Sequence, residues 1–283
     1  GSTGGTITWS IMPDGTTIDP SWSDPNITGT SSLEAIMTGL GHAQALATIE
    51  RVLDKWSAVA NIYFVQVPDS GAPFSSTAAQ SPDTGQIRFG AFSIAGFVGG
   101  VGFAPPPNGG SLGGDVPLNA DNTFFFDPGG EGDPIQIFND FESLLLHEAG
   151  HALGMAHSDV CSVMSIEFEC FQYVNRELDP DDIAGIQFLY GAALAADFDR
   201  DNATTGDDLG IWSANFGAAG GAAKSTGDAT GDGAVDGRDF LVWQREFVVT
   251  PIATVVPEPA AATLAALALT AIAVGAARFS QAA

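Results

Sequence analysis

The chain has 283 residues and carries 34 acidic against 9 basic side chains, a formal net charge of −25. A phosphate backbone or an anionic lipid surface would repel such a chain, so nucleic-acid binding and membrane attachment through a basic patch are set aside. Only 15% of the residues are charged and 45% are hydrophobic, which argues against a wholly disordered chain.

Hydrophobic patterns predict strands and helices over residues 1–191. The alternation over residues 6–11 predicts a half-buried strand, and three- and four-residue spacing over about 41–59 predicts an amphipathic helix. The remaining predicted elements are strands over 62–67 and 86–90, a Gly- and Pro-rich loop or edge over 99–114, a helix over about 141–153 and a short helix after Asp179. Because strands and helices alternate only once or twice, the pattern favours an α+β fold with a twisted mixed sheet.

Three of the four histidines lie in one short segment, which reads HEAGHALGMAH over residues 147–157. On a helix His147 and His151 lie one turn apart on one face, so both imidazoles can reach one ion. Glu148 is rotated from them by about 100° and is placed to hold a water beside the ion. A glycine then ends the helix, and His157 returns as a third nitrogen donor. Three nitrogen ligands with an open fourth position predict one catalytic zinc.

The segment resembles the zinc motif of the metzincin metallopeptidases, and Ser158 after the third histidine is the form found in the matrixin family. Met164, within Ser-Val-Met-Ser, resembles the methionine of the Met-turn, an apolar floor beneath the metal. The segment 178–191 resembles the closing helix of the family, and the segment 56–64 resembles the end of its first helix and the next strand. The resemblance covers about residues 5–191.

This resemblance implies a zinc-dependent endopeptidase that acts on proteins or peptides, with its one catalytic zinc on the three motif histidines. Glu148 then accepts a proton from the attacking water and returns it to the leaving amine. By the same analogy, substrate lies extended along a sheet edge near residues 111–119. The main specificity pocket is walled by the loop from Met164 to about Asn175.

The sequence also departs from the family. Animal matrixins hold a second, structural zinc with further histidines, whereas only one histidine remains outside this motif and Pro117 stands where a histidine is usual. We therefore expect no second zinc. Asn119 and Asn122 stand in place of carboxylates that hold calcium in the family. Calcium in this region is left open, with Asp115 and Asp121 as the remaining candidate ligands.

Cys161 and Cys170 flank the Met-turn, nine residues apart. In a secreted protein they can form a disulfide that braces the pocket wall, and the alternative is two free, buried thiols. Two cysteines are too few to stabilise a chain of this length by disulfide cross-links, so the burial of hydrophobic side chains must stabilise the core.

Two acidic segments share one register. In each, oxygen-bearing side chains occupy positions 1, 3, 5, 9 and 12, the spacing by which an EF-hand-type loop binds calcium. They are Asp197, Asp199, Asp201, Thr205 and Asp208 in the first loop, and Asp228, Thr230, Asp232, Asp236 and Asp239 in the second. With the aromatic-containing helix predicted after each loop, the pair resembles a dockerin-type calcium module over 195–250. A cohesin-like or envelope partner, a calcium-stiffened spacer and a solvated acidic linker are the open alternatives.

The last region, residues 251–283, contains Val-Pro-Glu-Pro, an uncharged Ala- and Leu-rich run over 260–277 and then Arg278. This order resembles the PEP-CTERM sorting signal of bacteria, which implies export and processing by an exosortase-type enzyme. A helix over the run would extend only about 27 Å, which is short for a lasting membrane anchor. The alternative is a hydrophobic helix packed on the domain. We expect an extracellular or cell-envelope location, with the tail transiently or permanently in the membrane.

The sequence therefore predicts three regions: a matrixin-like metallopeptidase domain over 1–191, a dockerin-like module over 195–250 and a sorting tail over 251–283. The function it favours is a secreted or envelope zinc endopeptidase. The alternative is a surface adhesion or docking protein with weak catalysis that uses the calcium module. The intact Glu148 favours the enzyme, because a protein that only binds has no need of that carboxylate.

Overall fold

The computed structural model describes residues 4–77, 84–96, 98–105, 110–134, 139–165, 170 and 173–247. The predicted sorting tail, with its helix over 260–277, lies outside these residues. The part of the chain up to Phe247 forms one compact unit. Within the described ranges, no helix has the length and apolar character of a membrane span.

A mixed sheet forms the centre of the fold. Its strands are β1 Gly5–Ile11, β2 Ile27–Thr28, β3 Ile62–Gln66, β4 Ile87–Ile94 and β5 Asp115–Asn119. The order β3-β1-β4-β5 is parallel throughout, and β2 pairs antiparallel with the end of β4. The strands predicted over 6–11, 62–67 and 86–90 are thus confirmed, and β4 extends four residues beyond its predicted end.

Six α-helices surround and follow this sheet in the described residues. They are α1 Leu33–Leu40, α2 His42–Val59, α3 Phe141–Ala152, α4 Pro180–Tyr190, α5 Gly206–Asn215 and α6 Gly237–Glu246. The helices predicted over 41–59, 141–153 and after Asp179 are confirmed. Helix α1 was not predicted: it has only 8 residues and no side-chain cap, and Gly41, with φ of 93°, separates it from α2.

Helices α2 and α3 supply much of the main hydrophobic core. Ile49, Leu53 and Trp56 of α2 are buried there, and the indole Nε1 of Trp56 donates to the carbonyl of Leu146. Every residue of α3 except His151 is buried. A helix that is enclosed on all sides has little freedom to shift, so α3 is a rigid support for the histidines it carries.

The outer edge of the sheet differs from the prediction. The amide of Val101 donates to the carbonyl of Pro117 at 3.0 Å, and the amide of Asn119 donates to the carbonyl of Gly99 at 2.8 Å. The segment 99–103 therefore runs antiparallel along β5 and covers it. The prediction that residues 111–119 form the substrate-facing edge is wrong, because the glycine-rich segment before β5 folds back over that strand.

The two acidic loops each lead into a helix. Helix α5 is capped by Thr205 and helix α6 by Asp236, and both caps are reciprocal: the carboxylates of Asp208 and Asp239 accept from the backbone amides of the cap residues. Loop positions 9 and 12 thus act as helix-capping groups here. Behind the loops, Ala196, Phe198 and Trp243 form a small separate core.

Candidate metal centre

The capping residue Asp140 fixes the start of helix α3. Its buried carboxylate accepts from the amide and the hydroxyl of Ser143, at 2.9 and 2.7 Å, and from Nε of Arg176 at 2.9 Å. Burial alone would raise the pKa of Asp140, but the hydrogen bonds from Arg176 and Ser143 outweigh burial and lower it. The carboxylate therefore stays charged at the positive end of the helix that carries the first two histidines.

The three motif histidines converge on one point. Nε2 of His151 lies 3.1 Å from Nε2 of His147 and 3.0 Å from Nε2 of His157. The other ring nitrogens face backbone oxygens: Nδ1 of His147 donates to Val163 at 2.6 Å, and Nδ1 of His151 donates to Met155 at 2.9 Å. A carbonyl oxygen can only accept, so these two rings carry their proton on Nδ1 and present an Nε2 lone pair to the shared point.

This donor set fits a zinc ion. Lone pairs that face each other at about 3 Å repel, and a cation between them removes the repulsion. Tetrahedral zinc with nitrogen ligands at 2.0–2.1 Å would space those ligands by about 3.3 Å, close to the arrangement of the three rings. His147, His151 and His157 are the residues that would hold it.

The electrostatics of the centre favour neutral imidazoles. Burial lowers the pKa of His147 to about 3, and burial is also the first cause of the lowered pKa values of His151 and His157. A neutral ring is the form that binds a metal, so these histidines need not lose a proton first at neutral pH. Burial acts on the neighbouring carboxyl group in the opposite way and raises the pKa of Glu148 to about 8.

The edge segment 99–103 closes over Glu148. The amide of Gly102 donates to the Glu148 carboxyl group, which opposes the effect of burial on its pKa. A Cβ atom at Gly102 would overlap the backbone of Glu148 and the side chain of His151, and one at Gly100 would crowd the Glu148 side chain at 3.1 Å. The close approach therefore requires glycine at 102 and leaves little room at 100.

Met164, which the sequence predicted as the methionine of the Met-turn, packs against helix α3. Its side chain is buried against helix α3, where a Cβ at Gly150 would collide with the Met164 sulfur. The turn is held by Asp182, whose carboxylate accepts from the amides of Val163 and Met164 at 3.0 and 3.1 Å. Helix α4 thereby fixes the loop whose carbonyl orients His147.

Cys161 and Cys170 form a disulfide in the structure, with their Cα atoms 5.4 Å apart. It joins the residues just before the Met-turn to the middle of the predicted pocket wall. That wall, Met164–Asn175, lies partly outside the described residues, which include 164, 165, 170 and 173–175 of it.

Three of the predicted calcium ligands in the first acidic loop come together. Carboxylate oxygens of Asp197, Asp199 and Asp208 lie within 4.8 Å of one another, close enough to share an ion. In the second loop two acidic groups and a hydroxyl come together: the hydroxyl of Thr230 lies 3.4 Å from Oδ1 of Asp228 and 3.1 Å from Oδ1 of Asp239. There Asp232 is paired with Arg238 at 2.9 Å.

The first acidic loop is joined to β3 by residues that the sequence did not point to. The hydroxyl of Tyr63 donates to Asp197 at 2.9 Å and accepts from Nζ of Lys224 at 3.1 Å. Lys224 also donates to the carbonyl of Leu194. Burial, followed by the charge of Asp197, raises the pKa of Tyr63, so the hydroxyl remains a donor. These contacts link residues far apart in the chain, which no local pattern indicates.

A buried group of charged side chains includes Arg88 of β4 and Asp115 of β5. Arg88 donates to both carboxylate oxygens of Asp69 at 2.9 Å. The carboxyl group of Asp115 lies 4.0 Å from the same guanidinium, beyond hydrogen-bonding distance. Burial therefore raises the pKa of Asp115 to about 8, with the positive charge of Arg88 opposing the rise.

Comparisons with known proteins agree with the geometry. A family model described as matrixin matches residues 21–191. The chain is 29% identical to matrix metalloproteinase-16 of Homo sapiens over 178 residues, which are 60% of this chain and 27% of that protein. It is 30% identical to matrix metalloproteinase-2 of Drosophila melanogaster over 172 residues, 61% of this chain and 21% of that protein. It is 32% identical to karilysin of Tannerella forsythia over 89 residues, 31% of this chain and 17% of that protein. The chain thus spans about a quarter, or less, of the length of these relatives.

Proposed function

Because this chain belongs to the matrixin family, we propose that it is a zinc-dependent endopeptidase that hydrolyses proteins or peptides. The observation that carries the proposal is the convergence of three Nε2 atoms, two of them with their tautomer set by backbone carbonyls. The matching relatives are named as metalloproteinases, which supports the same reaction class.

A bound zinc would polarise the scissile carbonyl and acidify water at the centre. Glu148 performs the proton transfers: its carboxylate accepts a proton from the attacking water and then delivers that proton to the leaving amine. Burial raises the pKa of Glu148, which makes its carboxylate a stronger base toward the proton of the attacking water. The amide of Gly102 holds the carboxyl group in place for both transfers.

The substrate lies along the outer side of segment 99–103. The amides of Val101 and Phe103 are used by β5, so those of the alternate residues point away from the sheet. Gly102 turns its amide to Glu148, and Gly100 presents its backbone groups to an extended peptide. The absence of side chains at these positions lets the edge segment itself lie against Glu148 and His151, which brings a peptide paired with it close to the zinc ligands.

The variant Glu148→Gln tests the reaction. Its near-isosteric side chain cannot shuttle the proton, so we expect one zinc per chain and a loss of hydrolysis of at least about 10³-fold, within the range for a lost general acid–base. Zinc is measured by elemental analysis and hydrolysis with a fluorogenic peptide and with casein, each with and without chelator. Hydrolysis within tenfold of wild type would contradict the assignment. Zinc binding with no hydrolysis by the wild type would favour the adhesion or docking protein instead.

The first acidic loop is proposed to bind calcium. Three carboxylates meet there, and Tyr63 holds one of them from the peptidase sheet. Calorimetric titration of the full chain with calcium, after zinc saturation, should show one site, in the first loop, that binds calcium more tightly than the second loop does. Asp199→Asn should weaken that site, whereas the matched change Asp232→Asn in the second loop should leave it unchanged. Equal effects of the two variants would refute the distinction between the loops. A cohesin-like or envelope partner remains a proposal for the same module.

We also propose that the protein acts outside the cell or in the bacterial envelope. The disulfide between Cys161 and Cys170 suits an oxidising compartment. The tail sequence adds the expectation that an exosortase-type enzyme processes the chain. Replacing Pro257, Glu258 and Pro259 by alanine should shift the protein between cell fractions. An unchanged distribution would refute a sorting role for the tail.

A further inference from the structure

The segment 191–196, which joins helix α4 to the first acidic loop, is bound to the peptidase domain. The amide of Asn61 donates to the carbonyl of Gly191 at 3.0 Å, and the amide of Ala193 donates to the carbonyl of Val59 at 3.1 Å. The segment therefore runs antiparallel to the residues that precede β3. A segment paired in this way is not a flexible linker, in agreement with the single compact unit that both regions form.

The same segment is bound from the side of the acidic module, the unit formed by the two acidic loops and helices α5 and α6. Glu246, the last residue of α6, accepts from the amides of Ala195 and Ala196 at 3.2 and 2.8 Å. Nζ of Lys224 donates to the carbonyl of Leu194 at 2.6 Å. The segment is thus held from both sides, and the acidic module cannot turn away from the sheet without breaking hydrogen bonds.

The first acidic loop lies against the start of β3, the outermost strand on this side of the described sheet. Besides the contact between Tyr63 and Asp197, Nδ2 of Asn61 donates to the carbonyl of Asn202 at 3.2 Å. The guanidinium of Arg200 lies 5.7 Å from the centre of the Tyr63 ring, and Asp197 is fully buried. Two residues of the peptidase domain therefore hold two points of the loop.

Calcium would strengthen this contact because it would fix the loop. Carboxylate oxygens of Asp197, Asp199 and Asp208 lie within 4.8 Å of one another, and like charges at this distance oppose the loop conformation in which they meet. A divalent cation among carboxylate oxygens removes that repulsion. The same loop conformation presents Asp197 to the hydroxyl of Tyr63. The conformation that suits calcium is thus the conformation that contacts β3.

We propose that calcium in the first acidic loop holds the acidic module against β3 and thereby stabilises the edge of the peptidase sheet. This inference rests on the calcium site proposed above and gives that site a regulatory role. Coupling between two binding events is reciprocal, so calcium strengthens the contact by the same factor by which the contact strengthens calcium binding. We expect a factor of about ten, the value of one hydrogen bond to a charged group such as the bond from Tyr63 to Asp197.

Amide hydrogen exchange of the zinc-loaded full chain, with and without calcium, measures the coupling. The amides of Asn61 and Ala193, which join the peptidase domain to the segment 191–196, should exchange about tenfold more slowly with calcium. In Tyr63→Phe, which loses only the hydroxyl, this ratio should fall to about threefold or less. Tyr173→Phe removes a hydroxyl from an exposed tyrosine outside this contact and should leave the ratio unchanged. A variant that only destabilises the fold would speed exchange with and without calcium alike, so the ratio would not change.

Calcium affinity is the second measurement. Asn61→Ala removes an amide that donates to a loop carbonyl and not to a carboxylate, so a loss of affinity must act through the contact with β3. Calorimetry should show about threefold weaker binding than in the wild type. Calcium binding without slower exchange, the same ratio in Tyr63→Phe as in the wild type, or an unchanged affinity in Asn61→Ala would overturn this inference and leave the calcium site intact. A wild type that binds no calcium would refute the site and the inference together. None of these measurements depends on hydrolysis, so the peptidase function is tested separately.

Discussion

Replacing Asp140 should destabilise the protein more than the loss of a helix cap alone. The side chain is fully buried and accepts from Ser143, from the amide of Asp127 and from the guanidinium of Arg176. Asn is as good a cap as Asp, so Asp140→Asn keeps the cap through its one amide oxygen and removes the charge together with the second acceptor oxygen. Asp140→Ala removes both. The two variants therefore separate the ion pair from the cap.

The expected magnitudes follow from the burial of the two partners. Breaking a buried ion pair costs about 3–5 kcal/mol, and the lower end applies because Arg176 is 17% exposed and keeps some hydration. We expect Asp140→Asn to lower the free energy of unfolding by about 3 kcal/mol. Asp140→Ala should lower it by about 4 kcal/mol, since loss of a cap adds about 1 kcal/mol.

Urea unfolding at fixed metal concentration, with chelator in a second series, measures these values. The folded-state pKa of Asp140 is lowered, so its contribution is present above the unfolded pKa of about 3.9 and is lost as pH falls through the folded value. The gap between wild type and Asp140→Asn should therefore close at acid pH. The control Asp54→Asn changes an exposed acid on α2. A loss below about 1 kcal/mol for Asp140→Asn, or a gap that persists below the folded pKa, would refute the reasoning.

Three further predictions concern the edge, the buried acid and the disulfide. Gly102→Ala should retain zinc but lower kcat/KM by about 100-fold, because the added Cβ displaces the edge segment from the metal centre. The control Gly5→Ala adds a Cβ in open space and should leave kcat/KM unchanged. Equal activities of the two variants would contradict this prediction. The pKa of Asp115 is about 8 in the folded protein and about 3.9 in the unfolded chain, so its ionisation makes the free energy of unfolding fall as pH rises between those values. Asp115→Asn should therefore flatten the pH dependence of urea unfolding from pH 5 to 9. Parallel pH profiles would refute that account. Changing Cys161 and Cys170 together to serine should lower the free energy of unfolding by about 2–3 kcal/mol. In the wild type, alkylation with intact-mass analysis should label two thiols only after reduction, and labelling without reduction would contradict the disulfide.

Local patterns predicted the elements that carry the centre. Hydrophobic spacing located helices α2 and α3, and the four-residue step between His147 and His151 predicted that their rings share one face. A glycine after the helix, Gly154, has φ of 96° and turns the chain back toward His157 as expected. Such features depend on residues close together in sequence, where periodicity and turn chemistry decide the structure.

These local patterns could not predict which distant elements pack against each other. The pairing of Arg176 with Asp140 and of Tyr63 with Asp197 depends on how distant elements meet, and charge or aromaticity alone does not indicate a partner. The segment 99–103 was correctly predicted as loop or edge, yet its position outside β5 was not. Gly102 carried a signal that could have been used, since alternating glycines in an edge segment indicate close approach of another backbone.

The orientation of two zinc-ligand rings is set by the main chain. Nδ1 of His147 and of His151 bind the carbonyls of Val163 and Met155, and every residue type offers a carbonyl. These two hydrogen bonds therefore set no requirement on the side chains at 155 and 163, provided that the path of the loop is kept and that position 163, which is buried in the core, stays apolar. In a library randomised at these two positions, variants that keep that path should retain zinc, whereas insertions or deletions between the helix and the Met-turn should abolish it. Evolution can thus diversify the surroundings of this centre while its ligand geometry stays constant.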